Sequence, residues 1–210
     1  MHFVKQILGF ILVLLLLSAC TPKKTALEQL EEAKLQIANN QPDHAEVTLK
    51  NVIKSEPNMA EARYLLGKIY AAAERNDFAE KELQKALRLS QSKEKITISL
   101  AEVYLKLGKE DELIKLLSET EFTEESSQIL SYILRGKAYL NAKDLDSAKD
   151  AFDEANSINA ESTYSLYGAA INATIGENFQ QAETLLDSVI EQDNTMAEAW
   201  MLKAKFAERI

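Results

Sequence analysis

The sequence predicts an all-α protein, a right-handed solenoid of about five helix–turn–helix repeats followed by a terminal helix. Six glycines and three prolines in 210 residues leave little material for the turns of an all-β fold. Small residues recur in steps of 34 or 35, at Ala33, Gly67, Ala101, Gly136, Ala170 and Ala204. Large apolar residues recur with the same steps, at Leu49, Leu83, Leu117, Phe152 and Leu186. A period of this length is typical of stacked helical repeats.

The first nineteen residues predict a signal peptide. A short polar start with Lys5 precedes an apolar run from Ile7 to Leu17. Eleven residues make a helix of about 16 Å, which falls short of the ~30 Å hydrocarbon core of a bilayer. The run therefore favours a signal sequence over a membrane span.

Cys20 is the one cysteine of the chain and directly follows this segment, so a disulfide framework is excluded. The tetrapeptide "LSAC" resembles the bacterial lipobox, which implies cleavage before Cys20 and acylation of the new N-terminus. By the usual sorting rule for lipoproteins, Thr21 in place of Asp implies delivery to the outer membrane, facing the periplasm. The alternative is an ordinary secreted protein with a free Cys20. We expect a signal peptide at 1–19, a lipidated tether at 20–24 and a helical domain at 25–210.

The repeats resemble the tetratricopeptide repeat, most clearly in "AEARYLLGKIYAAAERNDFAEKELQKAL", residues 60–87. A second series twelve residues after the first supports this register, at Ala45, Ala79, Leu113, Ala148 and Ala182. The predicted repeats span 26–59, 60–93, 94–128, 129–162 and 163–196, with a half repeat at 197–210. Small residues on both helices are expected where the two backbones approach, and the large residue is expected to fill the space between one hairpin and the next.

Helix starts agree with this register. Three side chains stand three residues before a glutamate, as in a capping box: Thr25 with Glu28, Asn58 with Glu61, and Thr195 with Glu198. Pro57 stands where the first repeat should end. The third repeat departs from the pattern, with Leu113 and Thr120 at positions where small residues are usual and the acidic stretch "SETEFTEESSQ" at its end. We expect a bend or slackened packing between the third and fourth repeats.

Composition argues against several classes of function. Residues 1–19 hold one lysine and no acid, so the rest has 23 Lys and Arg against 33 Asp and Glu, a formal charge of −10. This disfavours nucleic-acid binding. No glycine-rich phosphate loop occurs, and we expect His44 to be a surface residue. The sequence predicts no enzyme, no cofactor and no metal site.

A partner-binding groove is expected along the first helices of the repeats. Its predicted residues are Tyr64, Lys68, Ile98, Ile133, Lys137, Asn141, Tyr164, Tyr167 and Lys205. The residue directly after each small position reads Lys34, Lys68, Glu102, Lys137, Ile171 and Lys205. A basic line through an acidic molecule would suit an extended peptide or a C-terminal tail that carries carboxylates. The alternative is that these lysines only solvate the groove and pair with nearby glutamates.

The order of features across residues 25–210 is similar to the N-terminal part of the tetratricopeptide lipoproteins of the PEP-CTERM/exosortase system. The matching pieces are the lipobox, "AEVTLKNVIKSEPNMAEARYLLGKIY", "AEKELQKAL", "SLAEVYLKLGK", "LRGKAYL" and "AEAWMLKAKF". This resemblance implies a scaffold for surface-protein sorting or exopolysaccharide assembly. Two alternatives are a pilotin-like or outer-membrane-assembly lipoprotein and an adaptor for peptidoglycan enzymes. In each case the partner is a protein or peptide in the groove, with the membrane reached through the lipid.

Overall fold

The structure is a computed structural model that describes residues 24–207, and within this range it contains α-helices and no strand. The helices are α1 Ala26–Ala38, α2 Pro42–Ser55, α3 Ala60–Ala72, α4 Asn76–Leu89, α5 Glu94–Leu107, α6 Glu110–Ser118, α7 Glu125–Asn141, α8 Leu145–Ile158, α9 Thr163–Ile175, α10 Phe179–Gln192 and α11 Ala197–Ala207. The predicted all-α repeat fold is confirmed. The predicted signal peptide and Cys20 lie outside the described residues.

The chain divides into two compact units, one that ends at Pro57 and one that begins at Asn58. The described part of the first unit is the hairpin of α1 and α2. Its start is the predicted capping box: Glu28 donates its backbone N–H to the Thr25 hydroxyl over 3.2 Å, and the Thr25 N–H donates to the Glu28 carboxylate over 2.7 Å. The buried residues of the hairpin are Leu30, Ala33, Ala45, Leu49 and Val52.

The second unit holds α3 to α11, which form four hairpins and one further helix. Within each hairpin the first helix packs against the second, and each second helix packs against the first helix of the next repeat. Each hairpin thus covers a face that its neighbour would otherwise leave in water. This is the nearest-neighbour stacking on which repeat proteins depend.

The glycines at the small positions lie where no side chain fits, as the sequence predicted. A Cβ added at Gly67 would lie 2.7 Å from Leu83 Cγ, and one at Gly136 would lie 2.5 Å from Phe152 Cε1. Leu83 and Phe152 belong to the large apolar series, and both are fully buried. The small residue of the first helix and the large residue of the second are therefore one packing unit.

Every hairpin turn contains one residue with a left-handed backbone. These residues have φ between 56° and 67° and are Asn40, Glu74, Gly108, Lys143 and Glu177. Only Gly108 is a glycine, so four turns hold a side chain in a conformation that costs roughly 1 kcal/mol or more. All five residues occupy the same position of the repeat, seven residues after the small residue of the first helix.

Two of the predicted helix caps are wrong. The helix α3 begins at Ala60 with Met59 as N-cap, and no side chain caps it, so Asn58 does not take this role. The Thr195 hydroxyl donates to the Asp193 carboxylate over 2.6 Å instead of capping α11. At Thr195 the turn before the helix takes up the hydroxyl, whereas at Asn58 the helix begins one residue later than predicted.

The third repeat has a shortened second helix. The helix α6 has nine residues, whereas the second helices of the other repeats have fourteen. The following segment is held by Glu94 at the start of α5, whose carboxylate accepts the Thr123 hydroxyl over 2.6 Å and the Thr123 and Glu124 N–H groups over 3.0 and 3.2 Å. These hydrogen bonds from Thr123 lower the pKa of Glu94. The acidic stretch that carries the one-residue insertion is thus tied to the repeat it ends.

Candidate ligand-binding groove

A pocket of about 420 Å³ lies among the first helices of successive repeats in the second unit. Its charged and aromatic groups come from four helices and one turn: Glu102 and Lys106 from α5, Lys137 from α7, Tyr164 and Tyr167 from α9, Glu198 from α11, and Asp193 from the turn before α11. The remaining lining residues are Ala71, Val103, Leu105, Leu130, Ile133, Leu134, Thr195 and Met196. We call this site the groove pocket. It exists only because several repeats stack, since no single hairpin supplies more than part of its wall.

Lys137 is the most enclosed cation of the groove pocket. Its ammonium lies 3.9 Å from a carboxylate oxygen of Glu198 and 5.0 Å from the centre of the Tyr167 ring. Burial lowers the pKa of Lys137, and the nearby charges of Glu198 and Glu102 oppose that shift. The lysine is therefore short of water without having gained a close ion pair.

Glu102 is the acidic counterpart of Lys137 across the pocket. Burial raises the pKa of Glu102, and the charges of Lys106, Lys137 and Lys68 partly offset this shift. Carboxylate and ammonium groups therefore lie on the same pocket wall. A ligand that covers them must supply polar atoms in place of the water it removes.

The two tyrosines of α9 are uncharged donors at neutral pH. Burial, with a contribution from Glu198, raises the pKa of Tyr167 to about 12. Burial also raises the pKa of Tyr164, whose side chain remains partly exposed at the pocket rim. Their rings add apolar surface and their hydroxyls add hydrogen-bonding capacity, a combination that is common at protein-binding surfaces.

The floor of the groove pocket is apolar. Ile133 and Leu134 of α7 are 2% and 5% exposed, and Val103 of α5 is 1% exposed. Leu130, in the second turn of α7, is half-buried, and Met196 lies in the turn before α11. The pocket thus offers an apolar base under a charged rim.

Four of the predicted groove residues meet in the pocket, namely Ile133, Lys137, Tyr164 and Tyr167. The other five lie elsewhere. Tyr64 and Lys68 share α3, with the Lys68 ammonium 5.8 Å from the centre of the Tyr64 ring.

The last three predicted residues have separate surroundings. Ile98 is 7% exposed in the core of the unit, and Lys205 is exposed on α11. Asn141 is the last residue of α7, and its amide donates to the Glu110 carboxylate over 2.9 Å. None of these three lines the groove pocket.

The predicted line of lysines has carboxylates beside it at its centre. Lys137 is flanked by Glu198 and Glu102 as described, and Lys34 of the first unit pairs with Glu31 over 2.9 Å. At these two places the lysines have the neighbouring glutamates that the alternative interpretation required.

Several pocket residues were not among the predicted groove residues, and one signal could have found two of them. Leu130 and Glu198 occupy the second position of their repeats, counted from the boundaries above, as the predicted Tyr164 does. The second position therefore points into the same groove as the position after the small residue. Asp193 and Thr195 belong to the turn before α11, where no such period applies.

The described residues contain no cluster of His, Cys, Asp and Glu suited to a metal ion. His44 is exposed on α2, at the place the sequence predicted. Within residues 24–207, no helix has the length and the apolar character that crossing a membrane requires.

Two segments of the chain match models of the tetratricopeptide repeat, at residues 36–92 and 129–162. The chain therefore contains tetratricopeptide repeats, as the sequence pattern indicated. No curated protein sequence matches the chain.

Solved structures of tetratricopeptide proteins share the fold. YrrB, described as a TPR protein with an unusual peptide-binding site, is 22% identical with a TM-score of 0.60, over 86% of this chain and 92% of that one. PilF of Pseudomonas aeruginosa is 15% identical with a TM-score of 0.67, over 87% and 83%. PilW, a type IV pilus biogenesis factor, is 12% identical with a TM-score of 0.69, over 89% and 86%.

Proposed function

We propose that this chain is a lipid-anchored scaffold of the bacterial envelope that binds a segment of a partner protein in the groove pocket. The observation that carries the proposal is the pocket itself, which joins an apolar floor, two tyrosines and a charged rim on the first helices of successive repeats. A surface of this composition suits an extended peptide, which can use its apolar floor, its hydroxyl groups and its charges together. The peptide-binding site named for YrrB supports the same use of the fold.

A photocrosslinking experiment tests the binding site. Tyr164, which is 39% exposed at the pocket rim, is replaced by the photoreactive residue p-benzoylphenylalanine in the full chain, expressed in bacteria. The matched control places the same residue at Leu145, which is 52% exposed at the start of α8 and does not line the pocket. We expect a defined crosslinked product from position 164 alone. The same products from both positions would contradict the proposal.

Anchoring is proposed from "LSAC" and from the single cysteine at position 20. The variant Cys20→Ser should keep the helical circular dichroism spectrum but leave the membrane fraction and lose palmitate labelling. A variant that stays in the membrane fraction and still takes up palmitate would contradict the lipid anchor. Substitution of Thr21 by Asp tests the proposed outer-membrane location, since it should shift the protein to the inner membrane.

Two envelope settings remain as candidates. Sequence resemblance supports surface-protein sorting or exopolysaccharide assembly with an exosortase. The fold shared with PilF and PilW supports a role like that of a pilotin or pilus biogenesis factor. The identity of the protein crosslinked at position 164 separates them, because a secretin or pilus subunit supports the second setting and a PEP-CTERM protein supports the first.

A further inference from the structure

We infer that the groove pocket takes an uncharged apolar side chain from an extended peptide segment of low net charge. The inference rests on the proposed function, because it names the ligand chemistry of the same site. It differs from the acidic tail that the lysines alone suggest. The argument uses the floor, the rim charges and the hydrogen-bonding state of the rim.

The floor can hold an apolar side chain. Val103, Ile133 and Leu134 present almost fully buried aliphatic groups, and Leu130 and Met196 add further apolar lining. Transfer of an aliphatic or aromatic side chain from water to such a surface is favourable by roughly 25 cal/mol for each Å² buried. A charged side chain at the same place would lose its hydration over a floor that offers it no hydrogen bond.

The rim does not favour either sign of charge. Glu102, Glu198 and Asp193 face Lys106 and Lys137, while Lys68 contributes to the field at Glu102. Asp193 accepts the N–H and the hydroxyl of Thr195 and keeps its negative charge. An acidic ligand would gain from the three lysines and lose to the three carboxylates, and a basic ligand would do the reverse.

A ligand at the rim must instead supply both hydrogen-bond donors and hydrogen-bond acceptors. The Glu198 oxygen is 3.9 Å from the Lys137 ammonium, which is beyond hydrogen-bond distance, and the Lys137 side chain is only 23% exposed. A peptide backbone supplies carbonyl groups that can accept from Lys137 and N–H groups that can donate to Glu102. It does so without net charge while its side chain enters the floor.

The test is a selection of random dodecapeptides, displayed on phage, on the purified full chain. We expect Leu, Ile, Met or Phe to be enriched at one position at least fivefold over the input, with no enrichment of net charge. The variant Leu130→Trp, which fills the pocket, should abolish that enrichment. The matched variant Leu145→Trp, on the exposed start of α8, should keep it, and circular dichroism checks that both are folded.

The strongest selected peptide is then synthesised with Leu, Asp or Lys at the enriched position and titrated by fluorescence anisotropy. We expect the Asp and Lys peptides to bind at least tenfold more weakly than the Leu peptide. Equal or tighter binding of the Asp peptide would favour an acidic tail as the ligand. Equal or tighter binding of the Lys peptide would make the pocket a cation site. Either result overturns the inference and leaves the proposed groove intact. Binding that Leu130→Trp does not change, or no selected peptide at all, would overturn the inference and count against the groove as well.

Discussion

The third and fourth repeats use the same pattern with different second helices. In the fourth, α8 has fourteen residues and places Phe152 against Gly136. In the third, α6 has nine residues and ends in a segment that Glu94 holds by hydrogen bonds. Their first helices, α5 and α7, both reach the groove pocket. The difference teaches that the second helix can lose more than a turn without disturbing the surface that the first helix presents, provided that its buried positions remain filled.

The largest expected effect is a loss of stability when the buried large residue of either repeat is truncated, and the two repeats should differ in its size. Phe152→Ala should lower the free energy of unfolding by about 4 kcal/mol, because the ring is fully buried beside a glycine and leaves a cavity that helices cannot easily close. Leu117→Ala in the third repeat should cost about 2 kcal/mol, because the shorter α6 can adjust. Urea unfolding followed by circular dichroism measures both. Equal losses would show that the two repeats are equally rigid.

The next effect tests the close approach in the fourth repeat. Gly136→Ala should lower the free energy of unfolding by about 2 kcal/mol, because the new Cβ would lie 2.5 Å from the Phe152 ring. Gly176→Ala is the matched control, since its Cβ would come no closer than 3.6 Å to another atom, and it should change stability by less than about 1 kcal/mol. If the two variants lose the same free energy of unfolding in urea, packing does not require a glycine at position 136.

A smaller effect on stability is expected at the groove. Lys137→Met should change the free energy of unfolding by no more than about 1 kcal/mol, because removal of a poorly solvated ammonium offsets the loss of its distant partners. A lowered pKa means that the folded state holds the proton less tightly than the unfolded state. The wild type should therefore gain stability as the pH rises towards the ordinary value of 10.5, and the variant should lack this gain. A loss as large as that of Phe152→Ala would make Lys137 a structural residue.

The smallest expected effect is local to the end of the third repeat. Glu94→Gln weakens the hydrogen bonds to Thr123 and Glu124, so the N–H groups of these two residues should exchange faster with solvent in amide exchange measured by NMR. Glu121→Gln, in the same acidic stretch, should leave that exchange unchanged. The lowered pKa of Glu94 means that its contribution is present above its ordinary value of 4.5 and is lost as the pH falls through the lower folded value. Protection that persists at the acid end of this titration would contradict the role of the carboxylate.

The repeat register could be predicted from the sequence because the buried positions recur at the same interval as the small and the large apolar residues. All five members of the large apolar series are at most 4% exposed, and the residues of the second small series are fully buried. The sequence prediction failed at Thr195 because a turn contact competes with capping, and at Asn58 because the helix begins one residue later than three-residue spacing implied. The groove was predicted only in part, since Lys137 and Glu198 are two repeats apart and their approach depends on how successive hairpins stack. A periodic pattern identifies which positions face the groove but not which charges meet there.

The left-handed residue of each turn also indicates where the chain can be lengthened. It always stands seven residues after the small residue of the first helix and five before the corresponding residue of the second, from Asn40 through Lys143 to Glu177. The one extra residue of the third repeat falls after its second helix, outside this fixed interval. A tag, loop or whole domain should therefore be grafted between Glu119 and Glu121, where the chain already accommodates a change in length, and not into the hairpin turns. Such a graft would leave the groove available for the partner.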